Sequence, residues 1–131
     1  MHLWLKLILI GVASAFGALC RYGIEQALNT VATGIWIGLS NWIINCTSCF
    51  LMGVFAGWLV VSPWGGEYKT AFTLLAMTGF CGGFSTFSEF TLDCIEYFLS
   101  GHAVAWLVYV AATIFIGLFC CALGYWLGQR L

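Results

Sequence analysis

Thr78-Gly79-Phe80-Cys81-Gly82-Gly83-Phe84-Ser85-Thr86 lies inside a long apolar stretch running from Lys69 to Leu99. As one unbroken helix, that stretch would reach roughly 46 Å at about 1.5 Å per residue. The hydrocarbon core of a bilayer is only about 30 Å thick. Steep tilt absorbs part of the excess. A break absorbs it too. Gly82 and Gly83 each lower helix propensity by about 1 kcal/mol, and Ser85 and Thr86 follow at once to satisfy freed backbone groups. Irregular backbone at this depth persists only where it is buried in protein or lines a cavity, and such breaks often hold ions. The alternative is a continuous helix whose small residues serve packing. The pattern favours the break, with a second half-helix starting near Thr86.

Three other stretches are long enough to cross a bilayer: Leu3 to Leu28, Ile35 to Val61 and Ala103 to Leu127. The expected connections are 29–34, 62–67 and 100–102, and Pro63, the only proline, falls in one of them. A signal peptide is a weaker reading of the N-terminus, because the apolar run after Lys6 is too long and its small residues lie mid-run. Of the 131 residues, 63% are hydrophobic and 7% are charged. A soluble domain carries about 25% charged residues, so lipid must cover most of this surface. The fold class is therefore an all-α membrane protein, with residues 1–131 forming a single four-helix transmembrane domain. A net charge of −1 offers no basic footprint for nucleic acid.

Trp4, Trp36, Trp58, Trp64, Trp106 and Trp126 fall near expected helix ends, where indole rings favour the headgroup level; Trp42 lies deeper. Small residues four apart (Ala13 and Gly17, Gly53 and Gly57, Gly79 and Gly83, Gly124 and Gly128) let helices approach closely. Lys6, Lys69 and Arg130 fall on one side of the membrane and Arg21 toward the other. This bias leans weakly toward a cytoplasmic N-terminus, and both orientations remain open. Four short helices leave little room for a private pore, so an oligomer is expected.

Several side chains are out of place in lipid. Glu89, Asp93 and Glu96 form an acidic stripe on the second half-helix, and intramembrane acids suggest function by default. Glu96 can reach the interface; Glu89 is deeper. Phe87 and Phe90 share a neighbouring face. Asn45, with Asn41 one turn earlier, needs an interhelical hydrogen bond or a wet path. Arg21 and Glu25 are spaced to pair within one helix. Seven cysteines sit in apolar runs. Cys46-x-x-Cys49 is read as two small packing side chains, since nothing adjacent completes a tetrahedral metal site.

Taken together, Gly79-Phe80-Cys81-Gly82-Gly83-Phe84-Ser85-Thr86-Phe87-Ser88-Glu89-Phe90 resembles the signature of the Fluc (CrcB) fluoride channels, close to GFCGGxTTFSxF. Gly17-Ala18 and Arg21-Tyr22 are similar to the family's first-helix ending, GAxxRY. Asn45, Phe50 and Gly53 keep its second-helix spacing. Thr113 and Gly117 resemble its fourth-helix polar position and following glycine. The resemblance covers essentially the whole chain. It implies a multi-pass protein of the cell inner (plasma) membrane that exports fluoride passively, with no covalent chemistry. The unit would be an antiparallel, dual-topology homodimer with two pores. A structural sodium ion would sit at the dimer centre, held by the backbone carbonyls of Gly82 and Ser85. By the same resemblance, Asn45, Phe87, Phe90, Ser88, Glu89 and Thr113 fall along the fluoride path, and Arg21 in its vestibule. Asp93 falls where the family usually has glutamate.

These residue types suit a small, strongly hydrated anion. Asn45, Ser88 and Thr113 supply donors, and a phenyl edge carries partial positive charge. Neither leaves a fixed charge that would trap the ion. Some positions depart from the family pattern. Glu89 stands where serine or threonine is usual; ionised, it would repel fluoride, so it is expected to be protonated, turned away or paired. Ser40, Asn41, Ser48 and Ser85 also differ, and Ser85 is harmless if only its carbonyl is used. Two other functions compete. One is a small proton-coupled multidrug antiporter using Glu89 or Glu25. The other is a partner subunit without transport of its own, which the presence of Asn45, Phe87 and Phe90 disfavours.

Overall fold

The computed structural model describes residues 1–31 and 38–131. Among these the chain is entirely helical: α1 (Leu3–Val31), α2 (Leu39–Val61), α3 (Gly66–Phe72), a π-helix (Thr73–Cys81), α4 (Gly82–Phe84), α5 (Phe87–Leu99) and α6 (Ala103–Gly128). Four segments are long and apolar enough to cross a membrane: Leu3–Leu28, Leu39–Val61, Gly66–Leu99 and Ala103–Gly128. The expected all-α, four-span architecture is therefore observed. α1 runs three residues past its expected end. The rest of the first connection, the expected start of the second span at Ile35, and Trp36 lie outside the described residues.

The third span begins earlier than expected, at Gly66. Gly66 turns the chain with a positive φ of 55°. Glu67 occupies the first turn, where a carboxylate faces the positive end of the helix dipole. It also pairs with the Met1 amine, which holds the start of α1 beside the start of α3. Just above, Trp58 stacks edge-on to Trp64 at 4.9 Å and tilted against Phe72 at 5.0 Å. Arg130 lies 3.6 Å over the Trp126 ring. Indoles at these ends act as anchors.

The small-residue pairs organise the packing. α2 packs chiefly on α6, and α1 on the π-helix and α4. A Cβ on Gly53 would stand 2.1 Å from the Cys121 carbonyl oxygen, and one on Gly124 2.2 Å from that of Phe50. Gly57 and Gly128 repeat this reciprocal contact one turn on. The second seam joins Ala13 and Gly17 to Gly79 and Gly83, where a Gly83 Cβ would lie 2.3 Å from the Ser14 carbonyl oxygen. Backbones touching at this distance replace the hydrophobic drive that lipid cannot supply.

The third span is broken, although not at the glycines. Gly82 keeps helical angles (φ −66°, ψ −34°), and Gly83 serves the seam with α1. The break falls at Ser85 (φ −83°, ψ 159°) and Thr86 (φ −147°, ψ 118°). Close packing needs a glycine with no Cβ; it does not need an unwound one. Upstream, Thr73–Cys81 widens to π geometry, a local adjustment common at functional sites. The Ser14 hydroxyl donates to the Gly79 carbonyl there at 3.2 Å.

Candidate functional site

The break is built from polar bonds between distant elements. Asn45 on α2 clamps the Thr86 peptide: its Oδ1 accepts from the Thr86 N–H at 2.9 Å and its Nδ2 donates to the Thr86 carbonyl at 3.1 Å. In a continuous helix the Thr86 N–H would return to the Gly82 carbonyl. Asn45 intercepts it. The Ser85 N–H and hydroxyl both return to the Cys81 carbonyl, at 3.0 and 2.9 Å, and Ser48 reaches the same oxygen at 3.4 Å. The Ser85 hydroxyl, expected to satisfy freed backbone, thus adds to a carbonyl that is already bonded. No described residue donates to the carbonyls of Gly82 or Ser85. Two backbone oxygens at the break are thus left without a donor among the described residues.

Thr86 is also the N-cap of α5. Its hydroxyl accepts from the Glu89 N–H at 3.3 Å, the first half of a capping box. The second half is missing, because the Glu89 carboxylate would normally return to the N-cap N–H that Asn45 holds. Glu89 pairs instead with Arg21 on α1, and Arg21 also reaches Glu25 at 3.4 Å. Of the three states expected for Glu89, the structure has the paired one. Glu89 and Glu25, either of which could serve an antiporter, are both tied to one guanidinium. Arg21, expected in the vestibule, is the bridge between α1 and α5.

One turn below, Asp93 is buried, 8% exposed. Its Oδ2 accepts from Asn41 Nδ2 and from the Tyr109 hydroxyl, each at 2.8 Å. Gly38, with φ 76° at the start of α2, backs onto it: a Cβ there would stand 2.6 Å from Asp93 Oδ2. A carboxylate at this depth requires donors, and these bonds join α2, α5 and α6. Sequence reading named Asn41 and Asp93 separately. It missed Tyr109, whose signal was only an aromatic hydroxyl facing an acid still without partners.

Phe87 and Phe90 lie together on α5, their ring centroids 5.7 Å apart. Phe90 also leans on Tyr109 at 5.7 Å. Phe87 is 75% exposed, and Ser88 beside it is exposed too. The Ser88 hydroxyl shares a bond with that of Thr86 at 3.1 Å. Thr113 donates back to the Tyr109 carbonyl at 2.7 Å, so its proton serves another acceptor only after rotation. Asn45, Ser85, Phe87, Ser88 and Glu89 thus converge on the break; Phe90 and Thr113 connect to it through Tyr109. The seven cysteines are free thiols. Cys49 Sγ lies 3.5 Å from where a Gly117 Cβ would stand, the packing role read for it.

Comparison with known proteins adds to this geometry. Residues 8–125 match the family model described as CrcB-like protein, Camphor Resistance (CrcB). Three similar relatives each carry the name fluoride-specific ion channel FluC. The Rhizobium etli protein is 38% identical over 84% of this chain and 85% of its own length. The Ignicoccus hospitalis protein is 34% identical over 95% and 96%. The Francisella philomiragia protein is 30% identical over 93% of each. The matched span runs from the first helix through the break and the α2–α6 seam, so the resemblance and the geometry meet in the same residues: this multi-pass membrane chain belongs to the CrcB family.

Proposed function

We propose that this chain is a fluoride-selective channel that lets fluoride leave the cell passively across the plasma membrane. The observation that carries the reading is the Asn45–Thr86 clamp. It holds the third span open at mid-membrane and sets Phe87, Ser88 and Phe90 on the half-helix that follows. Membership of a family whose named relatives are fluoride channels supports the same reading.

The chemistry follows from the atoms. Asn45 spends one amide N–H on Thr86 and keeps a second, and Ser88 and a rotated Thr113 add hydroxyl donors. The edges of Phe87 and Phe90 offer partial positive charge. These weak donors replace part of the ion's water without holding it, as conduction requires. The Arg21 pairing offsets the charge of Glu89. A narrow donor-lined path penalises larger chloride.

The working unit in this proposal is an antiparallel, dual-topology homodimer with two pores. Phe87, Ser88 and the backbone of Gly82 are uncovered in one chain, and lipid cannot satisfy polar backbone. A second, inverted copy would cover them. The Gly82 and Ser85 carbonyls would then help to hold a sodium ion at the dimer centre, which adds positive potential for anions.

The test is fluoride efflux from liposomes carrying Phe87→Ile or Phe90→Ile. Each substitution removes a polarised ring edge and keeps apolar bulk. Flux is expected to fall by at least about a hundredfold, roughly 2.7 kcal/mol, while size-exclusion still shows the folded dimer. Wild-type flux in both variants would remove these rings from the path.

A further inference from the structure

Glu89 stands two residues after Phe87 and one before Phe90, on the first turn of α5. Its carboxylate meets Arg21, and Arg21 also reaches Glu25 at 3.4 Å. The three side chains are only partly open, at 37% for Glu89, 23% for Arg21 and 20% for Glu25. With both carboxylates ionised, one guanidinium would leave one surplus negative charge. Glu89 Oε2 and Arg21 Nε are both buried without a hydrogen-bond partner among the described residues. The remaining ion pair among the described residues, Met1 with Glu67, lies at the start of the third span. Asp93, one turn along α5, is held by the neutral donors Asn41 and Tyr109. A net charge inside a span is weakly screened, and Glu89 shares the start of α5 with Phe87 and Phe90.

We infer that Arg21, Glu25 and Glu89 act as one charge cluster whose net charge sets fluoride throughput, with Arg21 the counter-ion that keeps Glu89 tolerable beside the path. The inference rests on the channel reading and deepens it.

The experiment compares initial fluoride efflux from liposomes for wild type, Arg21→Gln, Glu25→Gln, Glu89→Gln and the double variant Arg21→Gln/Glu89→Gln. Each is checked by size-exclusion for the folded dimer. Throughput should follow the formal charge of the cluster. Arg21→Gln leaves two surplus negative charges and should be slower on the order of tenfold. Glu25→Gln and Glu89→Gln leave none and should each be faster than wild type. The double variant restores one surplus charge and should be faster than Arg21→Gln. A merely structural salt bridge would make every single variant slower. If Arg21→Gln fails to fold, the two glutamine variants still decide, because only an electrostatic role makes them faster. A glutamine variant slower than a conducting wild type, or a folded double variant no faster than Arg21→Gln, overturns the inference alone. A wild type that releases no fluoride overturns the channel reading as well.

Discussion

Asn45 does two jobs with one carboxamide. It accepts the Thr86 N–H and donates to the Thr86 carbonyl, and its second amide N–H is the one that the proposed path would use. Asn45→Asp would turn the donor into an oxygen facing that carbonyl and put negative charge on the path. Fluoride flux should fall at least about tenfold, and stability by about 1–3 kcal/mol. Normal conduction in Asn45→Asp would mean that the path runs elsewhere. Gly38 makes a second residue-scale test. A side chain there meets a positive φ and the Asp93 carboxylate together. Gly38→Ala should cost at least about 1–2 kcal/mol from backbone strain alone, seen as a lower melting temperature in detergent; an unchanged melting temperature would contradict the packing described. Asn45, Arg21 and Glu89 were each legible as polar residues in lipid. The Arg21–Glu89 pair was not, because helical spacing reveals partners three or four residues apart, whereas these stand 68 apart.

At the scale of elements, the spans were readable because length and apolarity are what a bilayer selects. The four-residue glycine spacing was readable for the same reason: in lipid it has one common use. The break shows the limit of propensity. Paired glycines weaken a helix on average, yet here the helix survives them because α1 covers Gly83, and it ends only where Asn45 offers Thr86 a better partner. No local pattern carries that information. The π-helix from Thr73 to Cys81 was invisible too, since its wider turn answers packing and not composition. The seam itself is testable. Gly57→Ala would force a Cβ within 2.1 Å of the Tyr125 carbonyl oxygen, whereas nothing lies within 4 Å of a Cβ on Gly11. Gly57→Ala should destabilise by more than about 2 kcal/mol and Gly11→Ala by less than about 0.5 kcal/mol, measured by thermal unfolding in detergent. Equal effects would contradict the α2–α6 contact.

Over the whole molecule, the largest fully buried side chains among the described residues are just Ile44 and Cys81. Phe115, Leu118 and Phe119 on α6 are exposed, as lipid-facing residues should be. The uncovered break is different: it presents polar backbone and Ser88 on the same molecule, and lipid solvates neither. In the proposed assembly a second copy covers both, and the weak charge asymmetry of the ends permits either insertion. Purified protein in mild detergent should therefore have twice the 14.4 kDa chain mass by light scattering with the detergent subtracted. A conducting monomer would contradict the proposed assembly.

The central claim is selective passage of fluoride, and the most direct measurement is paired efflux from liposomes containing the purified wild-type chain, one set loaded with fluoride and one with chloride. The account predicts rapid, complete fluoride release from every vesicle that holds protein, and chloride release no faster than from empty vesicles. Equal release of both ions, or no fluoride release from verified, folded dimers, would contradict it.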